Sequence, residues 1–171
     1  SAAIKVLVNV LENMNEHPMV RHEAAEALGA IGSLEVLELL NKYRNDPVVE
    51  VSETCELALE RIKWLQSLDK ENELSKNPYF SVDPAPPSKS TNVEELKEIL
   101  LDENASLFDR YKAMFSLRNI GSKEAVLALC TALKYGSALF RHEIAFVLGQ
   151  LQNELSVPYL KESLENVMES E

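Results

Sequence analysis

Apolar residues recur along this chain at the spacing i, i+3, i+4, i+7, which gathers them on one face of an α-helix. Ile4, Leu7, Val8 and Leu11 form the first such stripe, and Ala24, Ala27, Leu28 and Ile31 the second. The polar stretch between them ends in Pro18, well placed for a first helical position, where its missing N–H would have had no partner. Gly32 stands where the second helix must stop, since glycine takes the left-handed conformation without a Cβ penalty. Ser33 can cap a third helix bearing Val36, Leu37, Leu39 and Leu40. Asn45-Asp46-Pro47 then breaks the chain before a longer helix over about 48–68, carrying Val51, Cys55, Leu59, Ile62 and Leu65. Residues 69–91 lose the pattern. They are polar and proline-rich, and Ser81-Val82-Asp83-Pro84-Ala85-Pro86-Pro87 is too stiff and too poor in donors for a helix, which predicts an extended linker. Periodicity returns at Val93, with Leu96, Ile99 and Leu100, and predicts further helices over 110–120, 123–133, 141–151 and 157–167. No alternating strand pattern is present.

The helices repeat. Aligning Arg21, Arg110 and Arg141 superimposes Ala24, Ala113 and Ile144, then Leu28, Leu117 and Leu148, then Ile31, Ile120 and Leu151. Residues 49–59 give a weaker copy. A two-helix unit with a period of about thirty residues is the mark of a solenoid. The expected architecture is therefore all-α, a HEAT-like repeat solenoid of antiparallel helix pairs in two halves. Residues 1–68 form the first half, 69–91 the linker and 92–171 the second half.

Charge narrows the partners. At a formal net charge of −11 over 171 residues, the chain lacks the clustered Lys and Arg that phosphate binding needs, which argues against nucleic acid. It suits a basic protein partner instead. No apolar run is long enough for a bilayer span, and no signal-peptide pattern opens the chain. The two cysteines, Cys55 and Cys130, lie far apart inside helical patterns and read as buried free thiols of a reducing, cytoplasmic setting.

Candidate chemistry lies in the histidines. The chain has three, and two of them stand in the same triplet at the same repeat position, Arg21-His22-Glu23 and Arg141-His142-Glu143. Neighbouring helical residues point about 100° apart, so one helix presenting His then Glu cannot chelate an ion tightly by itself. Equivalent helices facing a common groove could. Imidazole with carboxylate suits iron, manganese or zinc, and open positions favour iron and oxygen chemistry. Two helical turns beyond each histidine lie Gly29 and Gly149, with Ala25 and Ala145 between, a track of small residues that would let neighbouring helices approach. The plainer reading is that His22 pairs with Glu26 one turn on. The copy at Arg110-Tyr111-Lys112 lacks both ligands, so the repeat does not demand them. His17 belongs to a turn and reads as a surface residue.

Three stretches carry a resemblance: residues 19–32, the Ser81-Val82-Asp83-Pro84-Ala85-Pro86-Pro87 segment, and Leu139-Phe140-Arg141-His142-Glu143 with Val147-Leu148-Gly149-Gln150-Leu151. Together they resemble the deoxyhypusine hydroxylase family, and the likeness runs over essentially the whole chain. The resemblance implies two HEAT-repeat halves around a di-iron centre, with two Fe(II) per complete enzyme and dioxygen as co-substrate. The expected protein substrate is eukaryotic translation initiation factor five A carrying deoxyhypusine. By position, His22 and Glu23 would ligate one iron and His142 the other, while Glu143 would either ligate or hold the substrate's amine. The family pattern has four His-Glu pairs and this chain has two. The others are expected one repeat before His22 and one repeat after His142, which would make the chain a central stretch of the enzyme, inactive by itself. The alternative is a non-catalytic HEAT scaffold that binds a protein along its concave face. It would hold no metal and would tolerate loss of His22 or His142.

Overall fold

A computed structural model describes residues 1–67 and 74–168. Leu68 and residues 69–73 of the expected linker lie outside the described residues. Among those described there are nine α-helices and no strand: α1 (Ala2–Glu12), α2 (Pro18–Ile31), α3 (Leu37–Tyr43), α4 (Val49–Gln66), α5 (Val93–Leu101), α6 (Leu107–Ile120), α7 (Lys123–Ala132), α8 (Ala138–Leu151) and α9 (Val157–Leu164). Short 3-10 turns, Leu34–Val36 and Glu154–Ser156, precede α3 and α9. The chain divides into two compact units, one of Ser1–Asn72 with Val82–Ala85, the other of Glu73–Ser81 with Pro86–Glu171.

Local chemistry sets the helix ends. Ser1 caps α1, and α2 starts with Pro18 in its first turn. His17 has a structural task that the sequence reading missed: its Nδ1 accepts a hydrogen bond from the Met19 N–H at 3.3 Å and so caps α2. Gly32 closes α2 at φ 73° and Gly121 closes α6 at φ 60°. The third copy ends differently. Gln152 takes the left-handed position after α8, at φ 50°. The last helix stops at Leu164, short of the expected 167.

In the first unit α2 packs on both α1 and α4, and α3 packs on α4. Because α2 has neighbours on two sides, its buried face is wider than one stripe. Arg21, His22, Ala25 and Gly29 are buried beside Ala24 and Leu28, while Ile31, expected in the core, is exposed. Arg21 is held by the Leu11 carbonyl at 3.0 Å and by both oxygens of Asp46, the shorter contact being 2.6 Å, under the Tyr43 ring. Asp46 in turn accepts from the Val48 N–H at 2.9 Å. Burial pushes the Asp46 carboxyl up. The hydrogen bonds from Arg21 and Val48, with the guanidinium charge, more than reverse that and hold it below the usual carboxylate range.

Residues 74–91 are irregular, and they are no idle spacer. In the first unit Arg61 donates from Nε to the Asp83 carbonyl at 3.0 Å and from Nη1 to the Gly29 carbonyl at 2.8 Å. One guanidinium thus satisfies the open carbonyl end of α2 and fastens 82–85 to it.

The second unit has an aromatic centre, with Tyr111 edge-on to Phe115 and Phe140 at centroid distances of 6.3 and 5.9 Å. Arg118, almost fully buried, lies over the Tyr79 and Phe115 rings and donates to Gln150 Oε1 at 3.0 Å. Asn119 Nδ2 reaches Ser75 Oγ at 2.9 Å, so 75–81 are pinned to α6.

Candidate metal centre

Among the described residues, one group of three metal-ligating side chains comes together, on α2. His22 is buried where α2 meets α4, and a Cβ placed on Gly29 would come within 2.7 Å of the Ala58 Cβ. The small-residue track therefore does in this unit what its sequence suggested: it brings α4 close enough for a side chain on it to reach the imidazole. That side chain is Thr54, whose Oγ1 stands 2.7 Å from His22 Nδ1 and donates to the Glu50 carbonyl, also at 2.7 Å.

The other ring nitrogen, Nε2, faces two carboxylates. It lies 3.7 Å from Glu23 Oε1 and 3.9 Å from Glu26 Oε2. The three groups each offer a donor atom within 4.8 Å of the others, and among the described residues they are the one group of this kind. Glu23 is well exposed and Glu26 partly so. Both carboxylates can therefore swing about their side-chain torsions to close on an ion. Burial pushes the Glu26 carboxyl up, and the neighbouring charge of Glu23 adds to it. A divalent cation would relieve that repulsion. One imidazole and two carboxylates form a donor set that fits iron or manganese well and zinc acceptably.

His22 and Glu23 meet here, and Glu26, which the sequence offers only as a pairing partner of His22, joins them. The geometry joins the two readings, since Glu26 is a neighbour of Nε2 on the same footing as Glu23. Thr54 was missed altogether. Its signal was a polar residue inside the apolar stripe of Val51, Cys55 and Ala58, where a buried hydroxyl needs a partner.

The second triplet lies in the other unit and is differently surrounded. His142 is exposed and Glu143 half-buried. No third metal-ligating side chain joins them among the described residues. Glu26 corresponds in the repeat to Phe146, which is exposed and cannot ligate. A Cβ on Gly149 would meet no atom within 4 Å, so here the small-residue track brings no helix close. A hollow of about 360 Å³ in this unit is lined by Leu133, Lys134, Arg141, Tyr159 and Glu162, and includes neither His142 nor Glu143. Both cysteines are buried and free. Burial pushes the Cys55 thiol up to about 12 and Cys130 to about 11, which removes them as ligands or nucleophiles near neutrality.

Comparison with known proteins agrees with this fold. Residues 1–60 match the HEAT repeats family, and residues 109–135 and 140–166 match the PBS lyase HEAT-like repeat. The chain is 57% identical over 170 residues to a deoxyhypusine hydroxylase of Drosophila melanogaster, covering 99% of this chain and 56% of that protein. It is 56% identical over 168 residues to the deoxyhypusine hydroxylase of Homo sapiens, covering 98% and 55%. Among solved structures, human deoxyhypusine hydroxylase in complex with glycerol aligns with a TM-score of 0.93 at 56% identity, over 99% of this chain and 58% of that one. The chain thus spans little more than half the length of the curated relatives it matches.

Proposed function

Since this chain belongs to the deoxyhypusine hydroxylase family, we propose that it contributes two of the four His-Glu pairs of a di-iron, dioxygen-dependent monooxygenase. The proposed substrate is the deoxyhypusine side chain of eukaryotic translation initiation factor five A, and the product is hypusine. The reading places the enzyme in the cytoplasm with its protein substrate. The observation that carries it is the cluster on α2, where His22 Nε2 meets the Glu23 and Glu26 carboxylates.

In this reading His22 and Glu23 hold one iron, and His142 belongs to the other. Glu143 either ligates that second iron or pairs with the ammonium of the substrate. Bound iron supplies the activation of dioxygen needed to oxidise an unactivated C–H bond. The chain's own part is placement. α4 buries one flank of His22 and fixes its ring, while the exposed Glu23 stays mobile enough to close on an ion. The net charge of −11 draws in a basic loop carrying the modified lysine. The remaining ligands are proposed to lie in the part of the family's length that this chain does not span.

Elemental analysis tests the reading. We expect about two irons per chain in the full-length protein, reduced by His22→Ala or His142→Ala, and little iron in the 171-residue chain by itself. Hydroxylation of the deoxyhypusine-bearing factor should require both histidines. A full-length protein that hydroxylates this factor without iron, or keeps its full iron after both changes, would overturn the assignment.

A further inference from the structure

We infer that Thr54 is a positioning residue: its hydroxyl fixes His22 as the Nδ1-protonated tautomer and so makes Nε2 the metal-binding nitrogen. The inference rests on the proposed metal reading for its purpose, and the tautomer is inferred from the two contacts of the threonine hydroxyl.

Thr54 is 3% exposed on the face of α4 that carries Val51, Cys55 and Ala58, all buried. Its Oγ1 has two close neighbours, the Glu50 carbonyl oxygen and His22 Nδ1, each at 2.7 Å. A hydroxyl has one hydrogen to give. The carbonyl has none, so an O···O approach this short favours the threonine hydrogen on that line. The contact to Nδ1 must then be made by a hydrogen on the ring, with Oγ1 accepting. A neutral imidazole carries a single N–H. Once Nδ1 holds it, Nε2 keeps the lone pair, and Nε2 is the atom turned toward Glu23 Oε1 and Glu26 Oε2. In water a neutral histidine favours the opposite tautomer, so this state is imposed by α4.

The arrangement is the one metal-binding histidines need, in which the distal N–H is anchored and the ligating nitrogen is left basic and aimed. The Arg-His-Glu triplet does not supply it unaided. In the second unit His142 is exposed.

The test is the ¹⁵N–¹H long-range correlation spectrum of the metal-free 171-residue chain, at a pH where the ring is neutral. Two ring nitrogens of distinct type, with Nδ1 protonated at His22 and a water-like mixture at His142, are expected. Thr54→Val keeps the branched shape and removes the hydroxyl; it should return His22 toward the Nε2-protonated form, and Thr54→Ser should restore the original spectrum. Mn(II) added to the full-length form of each variant, where the proposed ligand set is complete, then reports ligation through broadening of the His22 signals. The concentration needed should rise about tenfold in Thr54→Val and stay near the original in Thr54→Ser. An Nε2-protonated His22 in the unaltered chain would overturn the inference, as would a Thr54→Val spectrum that keeps Nδ1 protonated. Should the tautomer behave as expected while Mn(II) leaves His22 untouched in every variant, the metal reading fails and the positioning of the ring stands.

Discussion

The helices α2 and α8 carry the same Arg-His-Glu triplet at the same point of the same repeat, and the fold treats them in opposite ways. On α2 the histidine is buried, hydrogen-bonded to a helix that follows it, and aimed at two carboxylates. On α8 it is exposed, and Phe146 occupies the place of Glu26. The arginines differ too. Arg21 is clasped by a buried aspartate, whereas Arg141 donates to the Gly136 carbonyl at 2.6 Å. A triplet is thus only half a site, and the helix packed against it supplies the other half.

That contrast can be broken most forcefully at Asp46. Asp46→Ala leaves the Arg21 guanidinium buried without its carboxylate, and should lower the stability of the first unit by about 3–5 kcal/mol, read from urea unfolding. Removing Arg141 on α8, which is only half-buried and donates to the Gly136 carbonyl, should cost less in the same experiment.

Acid should reach the same contact with a smaller effect. The Asp46 carboxyl is held below its unfolded value, so its contribution to stability is full above the ordinary carboxylate range. It fades as pH falls through the lowered folded value. Unfolding midpoints measured from pH 6 downward should therefore decline on the acid side, and Asp46→Asn should flatten that part of the decline. An unchanged slope in the variant would remove the pair from the acid response.

The two glycines sharpen the comparison at a lower magnitude and with opposite signs. Gly29→Ala drives a methyl to within 2.7 Å of the Ala58 Cβ and 2.9 Å of its Cα, and should cost about 1–3 kcal/mol. Gly149→Ala meets open space in this chain and should stabilise α8 by roughly 0.5–1 kcal/mol through lower backbone entropy in the unfolded state. Equal effects at the two positions would mean that α4 does not press on α2 as described. Least visible is the prediction for Cys55 and Cys130. Neither should react with a thiol reagent at pH 8 until the chain unfolds, since burial raises both thiols far above that pH.

The repeat was legible because it is written in one dimension. Three arginines, the leucines behind them and the glycines at 32 and 121 share a spacing, and spacing is what a helix turns into a face. His22 and Glu23 could be picked out for the same reason. Thr54 could not, because it meets His22 across 32 residues of chain, and the register between α2 and α4 is set by the Gly29–Ala58 approach rather than by periodicity. Ile31 shows the limit in the other direction. It fits the stripe, yet it is exposed at the end of α2. The inequality of Gly29 and Gly149 was equally hidden, since the sequence around each is alike and only the packed neighbour differs.

Arg61 spans the carbonyl end of α2 and the Asp83 carbonyl of the proline-rich segment with a single side chain. Ligand-like attachment of this kind obeys reciprocity: a segment that binds only the folded unit stabilises it, and loosening of the unit must release the segment to the same degree. Residues 82–85 therefore act as an internal effector of the first unit. A protease cut near them would be felt as a change in how readily α2 unwinds, and strain on α2 would be reported outward as exposure of Ala85, which is buried in the folded unit.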